Sequence, residues 1–177
     1  MAELRVKAVV LAMLCTTSCR CGSEEKKPAQ GSAALASGLA APIGWQPLPP
    51  LAAAARQAAG VTVLGSEAWA DTTRGCYASW LAMRGAGAAP DRLAEQLLKS
   101  ITGEPTLAGV TVRDVVKPSA GADNGVLAFG FERGVYRGKV RAMLARDGKV
   151  VALACFWNQR EPAACEQACT HMIGSMR

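Results

Sequence analysis

Between Val126 and Trp157 apolar side chains return at every second position through three consecutive segments. No other feature of the chain constrains its fold as strongly. Val126–Arg133 sets Leu127, Phe129 and Phe131 on one face, and Gly134 can then make a tight turn. Val135–Arg146 sets Tyr136, Val140, Ala142 and Leu144 on one face and Arg137, Lys139 and Arg141 on the other. Asp147-Gly148 is a hairpin signal, because a tight two-residue turn needs residues that accept positive φ. Lys149–Trp157 follows, with Val151, Leu153, Cys155 and Trp157 on one face. A period of two is the pleat of a strand, so this region predicts an antiparallel meander.

The segments before it add two more strands and a helix. Val61–Ala70 carries Val61, Val63 and Leu64 and ends near Trp69. In Cys76–Arg84, Cys76, Ala78, Trp80 and Ala82 alternate with Tyr77, Ser79, Leu81 and Met83. Both sets are largely apolar, which predicts a central strand covered on both sides, with a helix as the competing reading. Pro90 and Asp91 open a helix whose stripe is Leu93, Leu97, Leu98 and Ile101, and Gly103 stops it. A short helix is expected over Ala52–Ala59 and a weak strand over Val110–Val116, ahead of a Gly- and Asp-rich loop at Ser119–Gly125. After the meander, Pro162 opens a last helix with Cys165, Ala168, Cys169, Met172 and Met176 on one stripe. The expected class is α+β: an antiparallel sheet with a C-terminal helix and one inserted helix packed on it. A chain of 177 residues with 50% hydrophobic residues has room for one such domain and is too apolar to be disordered throughout.

The N-terminus has a different texture. Arg5 and Lys7 precede an apolar run, Ala8–Leu14, far shorter than the roughly 20 residues that span a bilayer. Cys15-Thr16-Thr17-Ser18-Cys19 follows. A charged start, a short apolar run, a small residue and then Cys resemble a bacterial lipoprotein signal. That resemblance implies cleavage before Cys19 and acylation of its sulfur, because Cys19 follows the small Ser18, whereas Cys15 follows Leu14 and Cys21 follows Arg20. Thr16 stands where the family usually has Leu, and cleavage by an ordinary signal peptidase, giving a periplasmic or secreted protein, is the alternative. Arg20 replaces the Asp that holds many such proteins at the inner membrane, which implies an outer-membrane location. The expected organisation is a signal peptide at 1–18, the lipidated Cys and a flexible tether at 19–42, and a single domain at 43–177. Within the tether, Glu24 and Glu25 offset Lys26 and Lys27.

The opening Gly44-Trp45 with nearby prolines, Tyr136-Arg137-Gly138-Lys139 entering a hairpin, and a last strand leading directly into a terminal helix resemble the PsbP-like fold. Plant thylakoid-lumen proteins and small bacterial lipoproteins of the DcrB type share it. The resemblance is one of element order over about 44–177, and it implies a non-enzymatic binding or accessory domain.

An exported chain meets an oxidising space, where cysteines pair. Cys76, Cys155, Cys165 and Cys169 are the disulfide candidates, and four cysteines allow three pairings. Cys155 lies roughly 7 Å back from its strand end and Cys165 a similar distance into the helix, which favours Cys155–Cys165 with Cys76–Cys169. Cys76–Cys155 is the rival, leaving Cys165–Cys169 strained within one helix. The alternative chemistry is thiol redox or metal binding by Cys155, Cys165 and Cys169. Against it, Cys165-x-x-x-Cys169 lacks redox spacing. His171, the single histidine, sits about 200° round the helix from Cys169. No Gly-x-Ser-x-Gly elbow is present. No catalytic residue, metal or cofactor is expected.

Arg137, Lys139 and Arg141 form a row that could face an anionic partner, either lipid head groups or an acidic envelope protein, or could simply be a solvated sheet face. Aromatic residues are too sparse there to stack on single strands, and nucleic acid is not an expected partner.

Overall fold

In the computed structural model the described residues are 39–58, 62–103, 108–160 and 162–176. They form seven strands and three helices: β1 (Gln46–Pro47), α1 (Pro49–Ala58), β2 (Thr62–Asp71), β3 (Cys76–Arg84), α2 (Pro90–Gly103), β4 (Thr111–Val116), β5 (Asn124–Arg133), β6 (Tyr136–Ala145), β7 (Lys149–Asn158) and α3 (Pro162–Ser175). The strands make one sheet in the order β1-β2-β3-β7-β6-β5-β4, and every pairing is antiparallel. The class is α+β, as the sequence predicts, with more of the described residues in strands than in helices.

The meander forms as expected. Asn124–Arg133, Tyr136–Ala145 and Lys149–Asn158 pair in continuous register, with Phe131 opposite Gly138 and Val140 opposite Ala154. Gly148 takes φ 81° in the Asp147-Gly148 turn, and the Asp147 carboxylate accepts a hydrogen bond from the Lys149 N–H at 3.0 Å. β7 does not end the sheet. It pairs along its length with β3, Cys76 opposite Trp157 through to Arg84 opposite Lys149. Helix α2 carries the chain from β3 to the far edge, and the three hairpins from β4 walk back until β7 fills the place beside β3.

Two cores result, one on each side. On the first, α1 and α2 lay Leu51, Ala52, Leu93, Leu97 and Ile101 against Leu81, Leu127, Phe129, Phe131, Leu144 and Phe156. On the second, α3 and the lead-in from Leu39 to Trp45 cover Trp69, Cys76, Trp80, Leu153, Cys155 and Trp157. The helices thus lie on both faces of the sheet, giving three layers around a β3–β7 centre. That arrangement explains why both alternating sets of β3 are apolar: Trp80 and Leu81 are each almost fully buried, on opposite faces.

β1 is an element that alternation cannot reveal. It is two residues long, contains Pro47, and pairs with Ala70 and Trp69 only because the Trp45 turn delivers the chain to that edge. Edge positions tolerate proline because one side of the backbone needs no ladder partner. α1 begins three residues before the expected boundary, at Pro49, and its Arg56 side chain reaches Ser66 Oγ at 2.6 Å.

The β2–β3 turn is built by Asp71. Its Oδ1 accepts from the Thr73 hydroxyl at 2.6 Å and from the Arg74 N–H at 3.2 Å. The Thr73 hydrogen bond foremost, with Arg74 adding and desolvation opposing, holds the carboxyl below its ordinary value. A carboxylate with a lowered folded pKa stabilises the fold above its unfolded pKa, and that contribution disappears as pH falls through the lowered value. Thr73→Val is therefore expected to move the Asp71 titration midpoint upward, read by carboxyl NMR. An unmoved midpoint would separate the shift from the hydroxyl.

Candidate functional site

The sheet face under α3 carries both features singled out in the sequence, the cysteines and the basic row. The cysteines come together through register. Cys76 on β3 lies opposite Trp157, and Cys155 on β7 lies opposite Ala78, so the two are staggered by two residues on adjacent strands. That stagger is about 6.6 Å along the sheet. Cys165 and Cys169 are one helical turn apart, about 6 Å. As α3 runs back over the sheet, its two sulfurs match the two strand positions. Cys76 bonds Cys165 and Cys155 bonds Cys169, each with Cα atoms 5.5 Å apart.

This corrects the expected Cys155–Cys165 and Cys76–Cys169. The expectation measured distance from the β7 end alone. Cys76, on the neighbouring strand, stands two positions nearer the turn than Cys155 and takes the nearer helical cysteine. All four cysteines are at most 1% exposed, among Trp80, Trp157, Met172 and Met176.

With these pairs closed, Cys155, Cys165 and Cys169 are spent as thiolate or metal ligands. His171 is exposed and faces away from the stripe they occupy. Among the described residues no group of three or more His, Cys, Asp or Glu side chains is placed to hold a metal ion.

Arg137, Lys139 and Arg141 share the α3 face, since Tyr136, Val140, Ala142 and Leu144 pack with the opposite core. The alternation therefore placed the row correctly, but not its surroundings. Arg137 Nη2 meets Glu132 Oε1 at 2.7 Å, and Arg113 of β4 meets Glu132 Oε2 at 2.7 Å. Lys139 Nζ lies 3.2 Å from Glu166 Oε1 and donates to Thr170 Oγ1 at 3.2 Å, both residues on α3. Arg141 is half-buried between Ala128 and Leu153, and its Nε is buried without a hydrogen-bond partner. Exposed ion pairs of this kind contribute about 0–1 kcal/mol each. Their larger effect is to blunt the field of the row. Arg113 and Glu166 come from elements that no spacing in the sequence links to β6, whereas Glu132 stands directly opposite Arg137 across the Gly134 hairpin.

Cys19 and most of the expected tether lie outside the described residues. Among those described, no helix is long and apolar enough to cross a membrane. No protein-family model and no curated protein matches the chain.

Proposed function

We propose that the chain is a membrane-anchored envelope lipoprotein whose domain is a non-catalytic binding or accessory module. Cys19 carries the acyl anchor, the residues up to Leu39, where the chain packs on the second core, are the tether, and the outer membrane is the expected site. The observation that carries the reading is the pair of buried cystines behind an export-type N-terminus. Buried disulfides suit an oxidising compartment. They also occupy the sulfurs that the competing redox or metal chemistry would need. The PsbP-like or DcrB-like resemblance is part of the same proposal, supported by the helix that directly follows the last strand and by the sheet-dominated architecture.

Cys19→Ala is expected to shift the protein from the membrane fraction to the soluble envelope fraction. One acyl chain alone binds membranes marginally, while several chains hold a protein stably. Retention of the variant in membranes after a salt wash would overturn the anchor. Alkylation without reductant, read by mass spectrometry, separates module from enzyme. No modified cysteine within 76–169 is expected; two reactive thiols there, or a bound zinc, would favour the redox or metal reading.

A further inference from the structure

Helix α3 packs on β7 and, to a lesser extent, on β6. The sheet face beneath it continues past it over β5 and β4, and there the face is open. On β5, Leu127, Phe129 and Phe131 are buried in the core under α1 and α2, whereas Val126, Ala128 and Gly130, which point the opposite way, are only half-buried. Ala128 and Gly130 have too little side chain to project past a covering layer. Partial exposure at both means that solvent reaches the sheet itself.

Register defines what stands on this open half, because residues directly opposite one another share a face. Val116 of β4 lies opposite Ala128, Ala128 opposite Arg141 of β6, and Val126 opposite Met143. Val116 is 59% exposed and Met143 is half-buried. The four apolar residues form a shallow floor, about 10 Å across the strands and about 7 Å along them, with Arg141 on the side toward α3.

Arg141 is the anomaly. Its neighbours on this face are matched: Arg113 and Arg137 share Glu132, and Lys139 is held by Glu166 and Thr170 of α3. Arg141 has no such acceptor among the described residues, and its Nε is buried without a hydrogen-bond partner. Its Nη groups are not buried in this way and keep contact with solvent. A donor shielded from water with no acceptor is destabilising, and native structures rarely retain one without a use.

We propose that Arg141 binds the carboxylate of an amphiphilic monocarboxylate, a fatty acid in chemical class, whose apolar chain lies on Val116, Val126, Ala128 and Met143. A turn of the guanidinium brings Nε–H and Nη–H to the two carboxylate oxygens, the side-on fork that arginine offers to this group. The bound carboxylate supplies the acceptor that the protein lacks. Two observations select a singly charged head over a phosphate. One guanidinium is available, so a dianion would keep an unmatched charge. Glu132 and Asp114, whose Oδ2 stands beside Gly130, lie on the same face and repel that excess. The proposal rests on the binding-module reading and deepens it by naming the ligand class. It also narrows the row of three cations to one binding residue.

The test uses residues 19–177 carrying Cys19→Ala, so that no acyl chain of the protein itself competes. Amide chemical-shift titration with octanoate, octanol and octyl phosphate reads both affinity and place. Octanoate is expected to bind at least about tenfold tighter than octanol, with shifts centred on β4, β5 and β6. Arg141→Met keeps the aliphatic stem and is expected to abolish that preference while leaving octanol binding unchanged. Arg141→Lys is expected to recover only part of it, since an ammonium has no fork. Arg137→Gln and Lys139→Gln are expected to change octanoate binding by less than about twofold. Arg141→Met is also expected to melt no lower than the parent, because no protein acceptor is lost; a clearly lower melting temperature would show that the guanidinium serves the fold and would overturn the proposal. So would equal affinity for octanoate and octanol, a preference that survives Arg141→Met, an equal loss in Arg137→Gln or Lys139→Gln, or tighter binding of octyl phosphate or of a glutamate-rich peptide. If none of these ligands binds while the domain cysteines stay unreactive to alkylation, the fatty-acid assignment falls and the non-catalytic reading stands.

Discussion

Replacing Cys76 and Cys165 together by alanine is expected to lower the unfolding free energy by roughly 4–5 kcal/mol, and replacing Cys155 and Cys169 by roughly 3 kcal/mol. The difference follows from chain entropy. The first bond joins residues 89 apart and the second residues 14 apart, so the first withdraws more freedom from the unfolded chain. Urea unfolding of both double variants measures it, and equal losses would refute the entropic ranking. The single variant Cys165→Ala tests connectivity. It should free the thiol of Cys76, whereas the pairing favoured from sequence spacing would free that of Cys155. Non-reducing peptide mapping reads which one reacts.

Gly138→Ala is expected to cost about 3 kcal/mol, a large penalty for one methyl group. Gly138 lies directly opposite Phe131, whose ring fills the space a side chain would take. A Cβ there would collide with that ring and would stand 2.7 Å from the Cys155 carbonyl oxygen. The ring could turn only by disturbing the packing of Phe156, 6.5 Å away between centroids. The carbonyl is held in the β6–β7 ladder and has nowhere to go. Gly174→Ala is the control. It meets nothing within 4 Å on α3 and should be neutral or stabilising by up to about 1 kcal/mol. Thermal unfolding compares the two; similar melting temperatures would show that the Phe131–Gly138 contact gives way easily.

Much of the architecture was legible because burial writes a period into each element. Cys76–Arg84, Pro90–Gly103 and the three meander strands fall within two residues of their expected bounds, since each presents one continuous apolar face to a core. β1 was not legible, because two residues carry no period and their pairing depends on where the Trp45 turn delivers them. Nor was it legible which helix covers which face, although the two apolar sets of Cys76–Arg84 predicted cover on both sides. An apolar stripe says that a helix is covered, not which side of the sheet covers it.

The same division holds for the candidate site. Periodicity put Cys165 and Cys169 on the buried stripe of α3, and it put Arg137, Lys139 and Arg141 on one face. Both are properties of a single element, so nearest-neighbour geometry along the chain determines them. Which cysteine meets which, and that Lys139 meets Glu166, depended on register between elements distant in sequence. β7 had to dock beside β3 before Cys76 could stand nearer the final turn than Cys155, and α3 had to fold back before Glu166 could reach Lys139. Those contacts are set by packing between layers, which local spacing does not encode.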